Sequence, residues 1–245
     1  MWRVSPVRVH LVTGAGRGLG LALAEEVVAR GHVVIGTLRD RGRGAGLLEL
    51  AARAPERVWV APLDVTDEES CARLAAAVAS VVSRVDVIVN NAGINASSPE
   101  LGGPERASSL ALLTAGAVDR MMRTNALGPV LVTRALLPLL APGAAVANLS
   151  SRRGSLAGKR TGENYGYCMS KAALNMATRA LAADLADRVV VVAVDPGCVR
   201  GTAMSQPDAT LAPREAAAAV LDLIEALGPE HRGRFLTTTG EDHAW

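Results

Sequence analysis

Tyr167 and Lys171 stand four residues apart in a stretch of helical period, a spacing that puts both side chains on one helix face. Reducing a carbonyl by hydride leaves an alkoxide that needs a proton. A phenol can supply it near neutrality if its pKa of ~10 is lowered, and a neighbouring ammonium favours the phenolate. Lysine is scarce here: Lys159 and Lys171 are the only two, against 24 arginines, and Tyr165 and Tyr167 are the only tyrosines. Tyr165 has Met169 at the same offset and cannot be tuned in this way, so it is expected in the wall of a substrate pocket. An ordinary amphipathic helix face is the competing account of the pair.

A carbonyl must also be held. Ser151 follows the apolar run Ala144 to Leu149, where a hydroxyl at a strand end could hold the carbonyl oxygen or its anion. Ser150 and Ser155 are the alternatives. Towards the other end of the chain, Gly14-Ala15-Gly16-Arg17-Gly18-Leu19-Gly20 follows a β-branched run and opens a helical one. That context turns a glycine pattern into a dinucleotide site. Gly14 allows the tight turn, Gly18 lets backbone approach a pyrophosphate, Gly20 permits close packing, and the helix N-terminus supplies amide donors and dipole. Without that context the segment is a flexible strand-to-helix loop.

The elements that must position these groups alternate along the chain, as in repeated βα units of a parallel sheet. Strands are expected at Arg8 to Thr13, His32 to Gly36, Val58 to Ala61, Val85 to Val89, Ala144 to Leu149, Val189 to Val194 and Gly233 to Leu236. Helices are expected at Leu19 to Arg30, through an Arg- and Gly-rich stretch to Ala54, and at Asp67 to Val82, Thr114 to Leu140, Tyr165 to Ala186 and Pro213 to Leu227. Asp67 before an acidic turn and Pro213 at a first helical position carry capping chemistry. The polar segment Ile94 to Leu113 is either a functional loop or locally mobile. A short lid over Ala203 to Ala212 would be built around Met204, Pro207 and Leu211.

Composition removes several function classes. With 26 basic and 24 acidic residues and no basic block, nucleic acid is not an expected partner. The apolar runs are far shorter than the ~20 residues that span a bilayer, and residues 1–6 do not read as a signal peptide. Cys71, Cys168 and Cys198 lack metal-ligand spacing, so no metal is expected and free thiols in a cytoplasmic protein are the simplest account.

Taken in order, the motifs resemble the short-chain dehydrogenase/reductase family over nearly the whole chain. They are the Gly-x-x-x-Gly-x-Gly turn, Asp64-Val65, Asn90-Asn91-Ala92-Gly93, Asn125, Ser151, Tyr167-Cys168-Met169-Ser170-Lys171 and Pro196-Gly197. The tail with Gly240 and Trp245 is similar to the carbonyl reductase and C-factor-like subgroup. The resemblance implies a single-domain α/β protein over residues 1–245, a Rossmann-type doubly wound parallel sheet of about seven strands. The cofactor half would be about 1–125 and the catalytic half about 126–245. It implies Asp64 and Val65 near the adenine, Asn91, Ala92 and Gly93 along the ribose, and Pro196, Gly197, Val199 and Thr202 against the nicotinamide. Asn125 would interrupt its helix and hold a water linking Lys171 to solvent, local hydrogen bonding by a helix-interior Asn being the competitor. The family's spacing from serine to tyrosine is shorter than the gap here, implying a small insertion in Ala157 to Asn164. The helices Thr114 to Leu140 and Tyr165 to Ala186 would assemble a homodimer or homotetramer.

In this family an acidic residue at the end of the second strand selects NAD(H). Here that position is Leu38; Arg39 follows and Arg17 lies in the turn, so two guanidiniums could clamp a 2′-phosphate. NADP(H) is favoured over NAD(H), although Asp40 blurs the preference and both arginines could be plain surface charge. Three functions follow as expectations. The first is NADPH-dependent reduction of a ketone or aldehyde in a biosynthetic pathway. The others are a dehydrogenase acting in the oxidative direction on an alcohol, and a non-catalytic dinucleotide-binding signalling protein. Arg152 and Arg153 beside Ser151 could receive an anionic group or simply be solvated.

Overall fold

The computed structural model describes residues 6–98, 101, 108–202, 204–205 and 209–245. Seven strands form one parallel sheet in the order β3-β2-β1-β4-β5-β6-β7. They are β1 (Val9–Val12), β2 (Val33–Leu38), β3 (Val58–Pro62), β4 (Val85–Asn90), β5 (Leu140–Leu149), β6 (Val189–Asp195) and β7 (Phe235–Thr237). The helices are α1 (Gly18–Ala29), α2 (Ala45–Arg53), α3 (Glu68–Val81), α4 (Ala115–Met122), α5 (Gly128–Leu136), α6 (Tyr165–Asp184) and α7 (Pro213–Ala226). This is the doubly wound Rossmann-type α/β architecture expected from the sequence.

The near-continuous apolar strands make sense because both faces of a parallel sheet are covered. Alternate residues of one strand serve opposite cores. Val190, Val192 and Val194 of β6 pack with Leu23, Val27, Leu221 and Ile224 beneath α1 and α7. Val189 and Val191 join Leu74, Val78, Leu131 and Val132 beneath α3 and α5 on the other face. Full burial of each such aliphatic side chain stabilises by about 1.5–3 kcal/mol, so the valine-rich strands compensate for the scarcity of aromatic residues.

Local signals set the helix starts. Asp67 caps α3, its carboxylate accepting from Glu69 N at 3.0 Å. Glu215 accepts from Ala212 N at 2.9 Å just ahead of Pro213 in α7. Two expectations need correction. The stretch Thr114 to Leu140 is not one helix: α4 passes through one turn of π-helix at Arg123–Leu127 into α5. Leu140 already pairs with Val85 as the start of β5, and register resumes at Val87 with Ala145 after the exposed Pro142-Gly143 irregularity. Breaks of this kind depend on tertiary pairing, which hydrophobic periodicity does not encode. Much of the expected loop at 94–113 lies outside the described residues, as does Pro207 of the expected lid.

Candidate active site

A cavity of about 570 Å³ opens above the carboxyl ends of the strands where the strand order reverses between β1 and β4. Its floor at one end is the glycine turn. Gly14 and Gly18 both take positive φ, and a Cβ on Gly20 would overlap the carbonyl of Gly14, so the turn tolerates no side chain there. Asn91 bolts this turn to the β4 loop: its Nδ2 donates to the carbonyls of Thr13 at 2.8 Å and Gly14 at 3.2 Å. The Thr13 hydroxyl accepts from the amides of Asn91 and Ala92, each at 3.0 Å. Asn91 thus has a structural task in addition to its place on the cavity wall. Gly14, Arg17, Gly18, Leu19, Gly20, Asp64, Val65, Asn91, Ala92 and Gly93 all line this half. Thr202 packs over Gly18, bringing the loop after β6 across the turn.

At the far edge Leu38 is buried at the end of β2, and Arg39, Asp40 and Arg43 line the cavity. Asp40 lies 3.8 Å from the Arg43 guanidinium and accepts from Gly42 N at 2.8 Å. The sequence reading omitted Arg43, which a short 3-10 turn at Arg41–Arg43 carries back to the cavity.

The opposite end is built on α6, and the stripe that docks this helix also carries the reactive groups. Lys171, Leu174, Thr178 and Ala182 form its buried face at helical spacing. Three buried polar links fix the rotation of the helix. Asn148 donates to Thr178 at 2.9 Å, Ser150 to Asn175 at 2.6 Å, and Asn125 to Ser170 at 2.9 Å. Buried polar groups satisfied in this way favour a single arrangement, because any rotation would leave donors unpaired.

Tyr167 and Lys171 both line the cavity, with the Lys171 Nζ 5.7 Å from the Tyr167 ring centroid. Ser151 lies beside them on the cavity wall, its hydroxyl near enough to the Tyr167 phenol to favour the ionised form. The other serines are committed elsewhere: Ser150 donates to Asn175, and Ser155 accepts from Gly158 N at 2.8 Å. Asn125 sits in the π-helical turn, behind the wall rather than on it. Its Oδ1 accepts from Ile94 N and its Nδ2 donates to Ile94 O, both at 2.8 Å, so it clamps the β4 loop. A Cβ on Gly93 would stand 3.3 Å from Asn125 Oδ1 and 3.9 Å from Lys171 Nζ, so a side chain there would press on the Asn125 amide. Tyr165 begins α6 and is not part of the cavity wall, contrary to expectation. Met204 lines the cavity, whereas Leu211 pairs with Val199 outside it.

The electrostatics reverse one expectation. The Tyr167 phenol is not lowered; burial pushes it up to about 12, with the Ser151 hydroxyl opposing and the Asp195 charge adding to the rise. Lys171 is lowered to about 8, again by burial, with Asp195 opposing. Its ammonium donates to Leu149 O at 2.7 Å. Desolvation dominates both shifts, Lys171 being buried and Tyr167 half-buried in the cavity wall.

Pro196, Gly197, Val199 and Thr202 line the wall after β6, with Arg152 and Arg153 across from them. Asp195 and His243 also line this end and were missed from sequence. An acidic residue at the carboxyl end of a parallel strand was the available signal for Asp195. His243 had none, since its position depends on the chain returning over β7. Among the described residues no group of three or more His, Cys, Asp or Glu could hold a metal ion, and no helix is long and apolar enough to cross a membrane.

Comparison with known proteins places this geometry. The short chain dehydrogenase family model matches residues 8–211. The C-signal protein of Myxococcus xanthus is 43% identical over 164 residues, covering 66% of this chain and 93% of its own. A 1-hydroxy-2-glutathionyl-2-methyl-3-butene dehydrogenase of Rhodococcus is 32% identical over 241 residues, 96% of this chain and 98% of its own. The NADPH-bound carbonyl reductase from chicken fatty liver superposes with a TM-score of 0.87 at 30% identity, covering 98% of this chain and all of that one. With the glycine turn, the strand order and the Ser151, Tyr167 and Lys171 cluster already in place, the match along most of its length shows that this chain belongs to the short chain dehydrogenase family.

Proposed function

We propose that the protein reduces the carbonyl of a small ketone or aldehyde with NADPH, Tyr167 delivering the proton. The observation that carries this is the placing of Tyr167, Ser151 and Lys171 at one end of a cavity whose other end is the glycine turn flanked by Arg17, Arg39 and Arg43. The cofactor supplies a hydride, and the cradle suits a dinucleotide because the turn exposes amides at the start of α1 where no side chain fits. The buried, non-acidic Leu38 lets a 2′-phosphate approach, and Arg17, Arg39 and Arg43 bring positive charge to that end.

The relatives span both directions of chemistry by name, so the choice rests on the residues themselves. A phenol held near 12 keeps its proton throughout the neutral range and is still a far stronger acid than the alcohol product, so it can protonate the alkoxide. Ser151 positions the carbonyl oxygen beside it. Lys171, as an ammonium, stabilises negative charge left on the phenol, while Asn125 holds the β4 loop that forms the adjoining wall. The oxidative direction would instead require that same phenol to start ionised.

The test follows NADPH oxidation against a panel of ketones and aldehydes. Tyr167→Phe is expected to lower turnover about 10³-fold while NADPH still binds; wild-type turnover in that variant removes the proton-donor assignment. Leu38→Asp combined with Arg39→Ala is expected to move the preference from NADPH towards NADH. An unchanged ratio of rates with the two cofactors overturns the NADP(H) assignment.

A further inference from the structure

We infer that Asp195, held by His243 from the segment that returns over β7, is a positioning residue for the Tyr167 and Lys171 pair: its carboxylate braces the two loops around the reacting carbonyl and brings a negative charge to the end of the cavity that holds the ammonium. This rests on the proton-handling roles proposed above for Tyr167 and Lys171.

Asp195 ends β6 in register with Thr237 of β7, and its side chain is only 11% exposed. Oδ1 accepts from Gly197 N and Oδ2 from Arg152 N, each at 3.0 Å. One carboxylate therefore joins the loop that follows Ser151 to the Pro196-Gly197 loop on the opposite wall. His243 Nε2 lies 3.2 Å from Oδ2 and adds a third contact.

That imidazole is not a loose surface group. Its backbone N donates to Phe235 O at 2.7 Å, and its ring packs on Phe235 with centroids 4.7 Å apart. On one side, Asp242 bridges Leu236 and takes both Arg234 hydrogen bonds at 2.8 Å. On the other, Trp245 lies between Phe235 and the Arg179 guanidinium, and its carbonyl accepts from Ala157 N at 2.8 Å. The segment thus delivers His243 to Asp195 while pinning the loop that precedes α6.

Lys171 has the Leu149 carbonyl as its acceptor and Asp195 as the charge that supports its protonated form against burial. Tyr167 is faced by Ser151 and Arg153, which favour its ionised form, and by Asp195 and Cys168, which oppose it. Asp195 acts on both members, and in both it favours the proton-bearing state.

Because the chain has two lysines, NMR of isotope-labelled lysine reads Lys171 directly, with Lys159→Arg assigning the signals. Asp195→Asn is expected to lower the Lys171 titration midpoint by about one pH unit. The alkaline fall of kcat/KM should move down with it. Should no carbonyl be turned over at all, the proposed reaction fails while the lysine titration still decides the role of Asp195. A midpoint unchanged by Asp195→Asn overturns the electrostatic role. The brace has its own test, which also serves if that variant does not fold. His243→Leu is expected to raise KM for the carbonyl several-fold with NADPH affinity unchanged, and His243→Gln, which keeps a donor, should restore it. Equal KM in His243→Leu and the parent overturns the clamp.

Discussion

Two buried bases, Lys171 on the helix that packs against the sheet and His10 on a strand within it, differ in what burial has made of them. Lys171 lies against the end of β5 with its ammonium on the Leu149 carbonyl and the Asp195 charge nearby; it is lowered only to about 8. His10, in the middle of β1, is 1% exposed, and neither ring nitrogen has a hydrogen-bond partner among the described residues. It stacks on His32 with ring centroids 5.3 Å apart, and burial, with Arg8, His32 and Arg30 adding repulsion, holds it down at about 3. Burial alone therefore makes a base inert, whereas burial with an acceptor and an opposite charge leaves it able to change charge near neutrality.

The largest expected effect sharpens that contrast at the functional end. Lys171→Met removes the ammonium while keeping an unbranched side chain, and turnover should fall about 10²-fold or more, since a preorganised charge beside the reacting phenol is lost. In the parent the rate of carbonyl reduction should fall as pH rises through about 8, where Lys171 gives up its proton. The Tyr167 phenol cannot set that limb, because it keeps its proton to about 12. A pH profile of kcat/KM that stays flat through about pH 9 would contradict the need for a charged Lys171. His10→Leu should leave the same profile in place.

What the sequence disclosed follows the same division. The glycine turn, Asn91 to Gly93, Ser151, the Tyr167 and Lys171 pair and Pro196-Gly197 were legible because each sits at a strand end or helix start with a local signature. Their convergence on one cavity wall follows from the parallel strand order. Asp195 was passed over because the apolar run Val189 to Val194 ends just before it, so the strand was drawn one residue short. His243 and Arg43 reach the cavity only through chain reversals that leave no periodic trace. The helix break at Asn125 came from the resemblance alone, because the periodicity of the stretch reads as one long helix. The direction of the Tyr167 shift was misjudged for a physical reason: spacing along a helix reveals a neighbour, but the depth of burial that overrules it is a property of the packed molecule.

The smallest expected effect tests the inert end and shows in stability alone. In the unfolded chain His10 titrates near its ordinary 6.5, while in the folded protein it accepts a proton only near 3. Between those values the unfolded state binds a proton that the folded state refuses, so stability is present above pH 6.5 and is lost as pH falls towards 3. The slope from this one group approaches about 1.4 kcal/mol per pH unit once pH is well below 6.5. His32, also lowered chiefly by burial, adds to it in the same direction. Denaturant unfolding of the parent and of His10→Leu at a series of pH values isolates the contribution. The variant is expected to lose less stability on going from pH 7 to pH 5, by about 2 kcal/mol, whatever its stability at neutral pH. Parallel stability curves for the two proteins would mean that β1 has found a way to accommodate an imidazolium, and the distinction between the two buried bases would disappear.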